Sequence, residues 1–141
     1  MIGPQTAEQI KLAAGSAHRL TEAGEYGVSG RNMLTGQVVR LMLRSSEIRE
    51  AMNEVLLRIT EHIKSVLEHI PPQISSDVFE SGMTLCGGTA LLPGIDRYFA
   101  EKLGMPVNIA DDPQLCVLRV TEKIMTSSGE LLQVVSEGEE Y

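Results

Sequence analysis

A chain of 141 residues with 43% hydrophobic and 22% charged side chains can bury one core but is too short for two nucleotide-binding lobes. Its formal net charge of −7 provides no basic field to gather phosphates, which disfavours non-specific binding to nucleic acid or to anionic membrane surfaces. No apolar run approaches the roughly 18–20 residues of a membrane-crossing helix, and no basic-then-apolar leader opens the sequence, so the expected location is the cytoplasm.

In chain order, Thr6 with Gln9 three residues later predicts a capped helix over 7–14 that Gly15 stops. Over 25–44 the pattern changes. Val39, Leu41 and Leu43 alternate with Val38, Arg40, Met42 and Arg44, which predicts a strand with one wet side, paired as a hairpin with the segment before it. The strongest signal follows: Ile48, Met52, Val55, Leu56, Ile59, Ile63, Val66, Leu67 and Ile70 step by three and four. That spacing predicts a long amphipathic helix from Glu47 to about Ile70, capped by Ser46 and ended by Pro71-Pro72.

"QISSDVFESG" reads as a short helix or turn, "MTLCG" as a buried strand, "IDRYFAEKLG" as a helix stopped by Gly104, and "PVNIA" as another strand. "DDPQLCVLRVTEKIMTS" reads as a helix with Pro113 in its first turn and Asp111-Asp112 ahead of it, suited to the positive end of the dipole. The tail "SEGEEY" is expected to fray. Strands alternating with helices after a hairpin and a long helix indicate an α/β domain with an appended small α+β part, and in such folds ligands sit at the carboxyl ends of strands.

"LCGGTALLPG", Leu85 to Gly94, stands at such an end. Glycines there either turn a strand into a helix or let backbone N–H groups approach a ligand. A Walker lysine and a G-x-G-x-x-G are both missing, so neither P-loop nor Rossmann binding applies. Taken with its neighbours, however, the loop acquires a context. "IGPQTAEQIKLAAGSA", "GRNMLTG" and "VLEHIPPQISSDVFESGMTLCGGTALLPGIDRYFAEKLGMPVNIADDPQLCV" resemble, in order, the C-terminal part of the bacterial actin-like MreB family, with its T-A-E-x-x-K, P-P-E-L-x-x-D-I, L-T-G-G-G-A-L-L-x-G-L-D and E-D-P-L-T-C-V-A segments.

The resemblance implies the C-terminal lobe of an actin-like (actin/Hsp70-type) ATPase fold, with 16–72 as a small subdomain, 1–15 and 73–126 as the nucleotide-side part and 127–141 as a tail. It implies adenine and ribose of ATP held between two segments. Glu8, Gln9, Ile10 and Lys11 fall on the first, and Gly87, Gly88, Thr89, Ala90 and Leu91 on the second. Glu8 and Lys11, three apart on one helix face, could offer an acceptor and a donor to ribose hydroxyls and adenine, or form a solvated ion pair. Two departures weaken the expected contact: Thr89 replaces the family's third glycine, and "LRVTEK" (Leu118 to Lys123) replaces a small, glycine-rich stretch.

Family members are expected to be roughly twice as long, with phosphate-binding turns, the Mg2+-coordinating acid, the water-positioning group and the membrane-contacting surface upstream of Met1. Phosphoanhydride hydrolysis needs those parts. The expectation is therefore a truncated gene, a fragment or half of a split pair, with no catalytic residues and no hydrolysis by this chain alone. Three functions compete: a lobe of an MreB-like cytoskeletal protein that forms ATP-dependent filaments in cell-shape determination, a free-standing ATPase, and a non-catalytic interaction protein that binds filaments or a partner subunit.

The remaining candidates carry less. Cys86 and Cys116 form no C-x-x-C or ligand pattern and are expected as reduced, buried thiols. His62 and His69, about 10 Å apart along a helix, are too distant for one metal ion. His18 has no evident partner, Asp111-Asp112 suit capping better than catalysis, and the seven methionines suit core filling or a protein contact surface.

Overall fold

The computed structural model describes residues 1–19 and 24–126. Helix α1 (Pro4–Ala14) precedes an antiparallel hairpin of β1 (Glu25–Arg31) and β2 (Val38–Arg44), and β2 runs directly into the long helix α2 (Ser45–His69). Helix α3 (Pro72–Ser81), strand β3 (Met83–Leu85), a 3-10 turn (Gly88–Leu91), α4 (Ile95–Leu103), β4 (Val107–Ile109) and α5 (Cys116–Thr126) follow. β3 and β4 pair in parallel through the α4 crossover, in register Met83 with Val107 and Leu85 with Ile109. No described helix is long and apolar enough to cross a membrane.

The core lies where α2 crosses this second unit. Leu56 of α2, Ile95, Tyr98 and Phe99 of α4, Val107 of β4 and Ala17 form one buried cluster, with Ile59, Ile63, Met83, Leu85 and Leu92 packed around it. Tyr98 and Phe99 meet edge to face, ring centroids 5.5 Å apart. Thr60, buried on α2, satisfies its hydroxyl by donating to the Leu56 carbonyl at 2.8 Å. Gly82 ends α3 at φ +79, where a Cβ would lie 2.2 Å from the Pro106 carbonyl oxygen, so the approach of β3 to β4 requires glycine there.

Several sequence expectations shift. α1 starts at Pro4, whose fixed φ suits a first helical position, so Thr6 sits inside the first turn rather than capping it. α2 starts at Ser45, not after a Ser46 cap: the Glu47 carboxylate accepts the Arg44 N–H at 2.8 Å, and the Ser45 hydroxyl is tied to the Gly24 backbone. Val55 and Val66 of the predicted stripe are exposed, because the apolar arc of α2 is wider than the elements packed on it. Leu41, expected on the covered side of β2, is exposed too, since the hairpin is covered only in part.

α5 begins at Cys116, later than expected. Asp112 adopts φ +47 and breaks the helical run, leaving Pro113 in a turn ahead of the helix. Its carboxylate pairs with Arg119 instead of capping a helix start. Both cysteines are free as expected but not buried: Cys86 lies past the last paired residue of β3 and is exposed, and Cys116 is half-buried at the start of α5. His18 has a partner that the sequence did not reveal, Glu101 at 3.0 Å. The expected frayed tail lies outside the described residues.

The burial contrast along α2 gives a direct test. Leu56, 3% exposed, should cost about 2–5 kcal/mol when replaced by alanine, while Val55, 57% exposed, should cost less than about 0.5 kcal/mol. Ile59→Asp, which sets a charge against the core cluster, should cost several kcal/mol. Urea or thermal unfolding measures all three; equal effects of Leu56→Ala and Val55→Ala would contradict the packing described.

Candidate functional site

The segments singled out in the sequence meet in one cavity. α1 presents Glu8, Lys11 and Leu12; α2 presents Met52, Val55 and Ile59; the turn after β3 presents Gly88, Thr89, Leu91 and Pro93; Gln114 closes the far side. The space measures about 650 Å³, within the range of small-molecule sites. Its walls are largely apolar and its polar groups few: the Glu8–Lys11 pair, Thr89 and Gln114.

Local folding explains how each group arrives. α1 turns Glu8 and Lys11 to one face, and they form an ion pair at 2.7 Å. Both side chains are about half exposed, so the pair itself stabilises the helix by only about 0.3–0.5 kcal/mol. Little is therefore lost when a ligand takes over either partner. β3 delivers the loop from the other side. Gly87 sits at φ +89 and donates its N–H to the Pro113 carbonyl at 2.7 Å, which anchors the turn to the segment carrying Gln114.

The two glycines thus divide the roles that the sequence left open. Gly87 turns the corner, in a backbone conformation that L side chains rarely adopt. Gly88 has no such φ, and a Cβ there would meet nothing closer than Gln114 Nε2 at 3.7 Å. Backbone geometry does not demand glycine at 88; its bare Cα keeps cavity space open.

Of the residues expected in a site, Glu8, Lys11, Gly88, Thr89 and Leu91 line this cavity, whereas Gln9, Ile10, Gly87 and Ala90 do not. Gln9 is exposed away from it, Ala90 is buried beneath the turn, and Ile10 lines a neighbouring apolar cavity of about 520 Å³ between α1, β2 and α2. Sequence reasoning missed Leu12, the α2 wall and Gln114. The α2 residues carried a signal, since apolar positions left exposed by the core must face either solvent or a ligand. Gln114 carried none, because its segment reads as the start of a helix. Among the described residues no group of three or more His, Cys, Asp or Glu side chains could hold a metal ion.

The family described as MreB/Mbl protein matches residues 1–133. The chain is 44% identical over 119 residues to the cell shape-determining protein MreB of Escherichia coli (strain K12), covering 84% of this chain and 34% of that protein. It is 41% identical over 117 residues to the cell shape-determining protein Mbl of Bacillus cereus (strain ATCC 10987 / NRS 248), covering 83% and 35%. The crystal structure of MreB 5 of Spiroplasma citri bound to AMPPNP superposes with a TM-score of 0.86 at 30% identity over 97% of this chain and 40% of that one. Its ADP-bound form gives 0.84 at 32% identity over 87% and 37%.

The described fold is accordingly part of an actin-like α/β fold. The chain spans 34–40% of the length of these relatives, nearer a third than the half expected from the sequence. On the family match and the motif order together, the chain belongs to the MreB/Mbl family.

Proposed function

We propose that this chain supplies the adenosine-facing wall of a nucleotide site in an MreB-type cytoskeletal protein of the cytoplasm. In a family-length protein, ATP held there governs assembly of like subunits into filaments that determine cell shape. The observation that carries this reading is the single cavity lined by Glu8 and Lys11 from α1 and by Gly88, Thr89 and Leu91 from the turn after β3. Its support includes the two structural neighbours solved with ADP and AMPPNP.

The donor set fits an adenosine. Apolar Leu12, Met52, Val55 and Leu91 suit the faces of a base, the Glu8 carboxylate can accept from ribose hydroxyls, and Lys11 and Gln114 can donate to ring or hydroxyl acceptors. Gly88 leaves a recess that a Cβ would fill. The phosphates, and the Mg2+ that accompanies them, are held by the remainder of a family-length protein, which also supplies any membrane contact. On this reading 1–15 and 73–126 form the nucleotide-side part of the lobe and 16–72 its small subdomain.

One observation favours a second reading, a non-catalytic interaction protein that binds filaments or a partner subunit. α5 has no buried residue, and Val117, Leu118, Val120 and Met125 on it are all exposed. Such apolar exposure marks a contact surface. The two readings are compatible in a protein whose lobe also touches other subunits.

Titration with a fluorescent ATP analogue separates cavity from corner. Gly88→Ala should weaken binding about tenfold, roughly 1.4 kcal/mol, while leaving stability unchanged or raised by about 0.4–1 kcal/mol. Thr89→Gly should strengthen binding a few-fold and lower stability by up to about 1 kcal/mol, since it frees the backbone and clears the approach. Unchanged affinity in both variants would mean that the turn is structural only.

Hydrolysis is the second test. The 141-residue chain should release no phosphate from ATP above background, with or without magnesium. Steady release that survives stringent purification and disappears in Lys11→Ala would overturn the assignment of catalysis to the rest of a family-length protein.

A further inference from the structure

Four polar side chains line the cavity between α1, α2 and the turn after β3, and three of them are limited in what they can read. Glu8 only accepts hydrogen bonds, Lys11 only donates them, and the two already satisfy each other at 2.7 Å. Thr89 offers a single hydroxyl. Gln114 differs: its carboxamide holds a donor and an acceptor side by side in one plane, an arrangement that matches two neighbouring atoms on the edge of a base.

The backbone on either side of this residue is fixed. The carbonyl of Pro113, itself buried, accepts the Gly87 N–H at 2.7 Å, and the Leu115 N–H donates to the Asp112 carbonyl at 2.8 Å. Asp112 takes φ +47 to make the turn, a region that non-glycine residues seldom occupy, and its carboxylate is paired with Arg119. Gln114 is thus pinned from both sides.

Against that fixed backbone the side chain is free to meet a ligand. Gln114 is exposed, and among the described residues no hydrogen bond engages its carboxamide. Its Nε2 stands at the rim of the recess over Gly88, 3.7 Å from where a Cβ would lie. The family's E-D-P-L-T-C-V-A segment has leucine after its proline, where this chain has Gln114. Leucine can only touch a base; a carboxamide can tell one base from another.

Purines differ at the edge that carries position 6. Adenine sets the N6 amino donor beside the N7 acceptor, whereas guanine and hypoxanthine set two acceptors, O6 and N7, in the same places. A carboxamide pairs both of its atoms with the first pattern. With the second, whichever way it is turned, its oxygen faces another acceptor and one bond is lost.

We propose that Gln114 reads the N6/N7 edge of the bound base, so that the cavity of this chain selects 6-amino over 6-oxo purine nucleotides. Oε1 accepts from the N6 amino group and Nε2 donates to N7. This rests on the adenosine reading above and adds to it the residue that chooses the base.

Calorimetric titration of the 141-residue chain with ATP, inosine triphosphate and 7-deaza-ATP tests it. The parent should bind ATP at least about tenfold more tightly than either of the other two. Gln114→Leu should weaken ATP about tenfold and leave the other two within about twofold, which erases the discrimination. Gln114→Lys, which offers donors alone, should turn the preference toward inosine triphosphate. Melting temperatures of both variants should match the parent, because the side chain is exposed and makes no contact that folding needs.

An ATP-to-inosine triphosphate affinity ratio near one in the parent, or a ratio that Gln114→Leu leaves unchanged, would overturn the assignment and leave the adenosine site itself standing. So would 7-deaza-ATP binding as tightly as ATP, since N7 would then go unread. Equal weakening of all three nucleotides together with a lowered melting temperature would make Gln114 a structural residue only. No saturable binding of any of the three by the parent would overturn both this assignment and the reading on which it rests.

Discussion

Leu56 on α2 and Phe99 on α4 belong to the same buried cluster, and most of the tertiary structure depends on their sharing it. Packing of its apolar face rather than intrinsic propensity supplies most of the stability of the 25-residue amphipathic helix α2, so α2 does not stand well alone. Two strands of three residues each form no independent sheet either. Burying the middle of α2 against the β3–α4–β4 unit resolves both deficits at once. It also fixes the distance between α1, which packs on α2, and the turn that follows β3. The nucleotide-sized cavity is the space left by that arrangement.

The same constraint explains why so much of α2 stays uncovered. The core takes Leu56 and, in part, Ile59 and Ile63, which leaves Val55 to line the cavity and Val66 in solvent. A helix that must serve a core, a cavity and a hairpin needs an apolar arc wider than any one of them. The hairpin and α5, which share little in the core, also carry several exposed apolar residues, Leu34, Val38 and Met42 on the first and Val117, Leu118 and Met125 on the second.

Much of the fold was legible because period and punctuation agree locally. Alternation over 38–44 gave the hairpin strand, three-and-four spacing gave α2, and Gly104 in the left-handed region closes α4 where the sequence places a stop. The candidate site was legible in a different way, through ordered motifs of a family, and its two segments do come together. Illegible features rest on contacts distant in sequence. Gln114 reaches the cavity only because Asp112 turns the chain and Pro113 receives the Gly87 N–H. Cys86 is exposed because β3 stops at Leu85, and His18 meets Glu101 across the fold, neither of which a local window can show. The division between Gly87 and Gly88 required backbone angles as well as sequence.

The central claim is that the cavity between α1, α2 and the turn after β3 is an adenosine site. The most direct measurement is a nitrogen–proton correlation spectrum of the labelled 141-residue chain, recorded while ATP is added. The account predicts saturable shifts at Glu8, Lys11, Leu12, Gly88, Thr89, Leu91 and Gln114, with hairpin amides such as Gly27 and Ser29 unmoved. Saturable shifts confined to the hairpin or α3, or none at any residue lining the cavity at millimolar ATP, would contradict it.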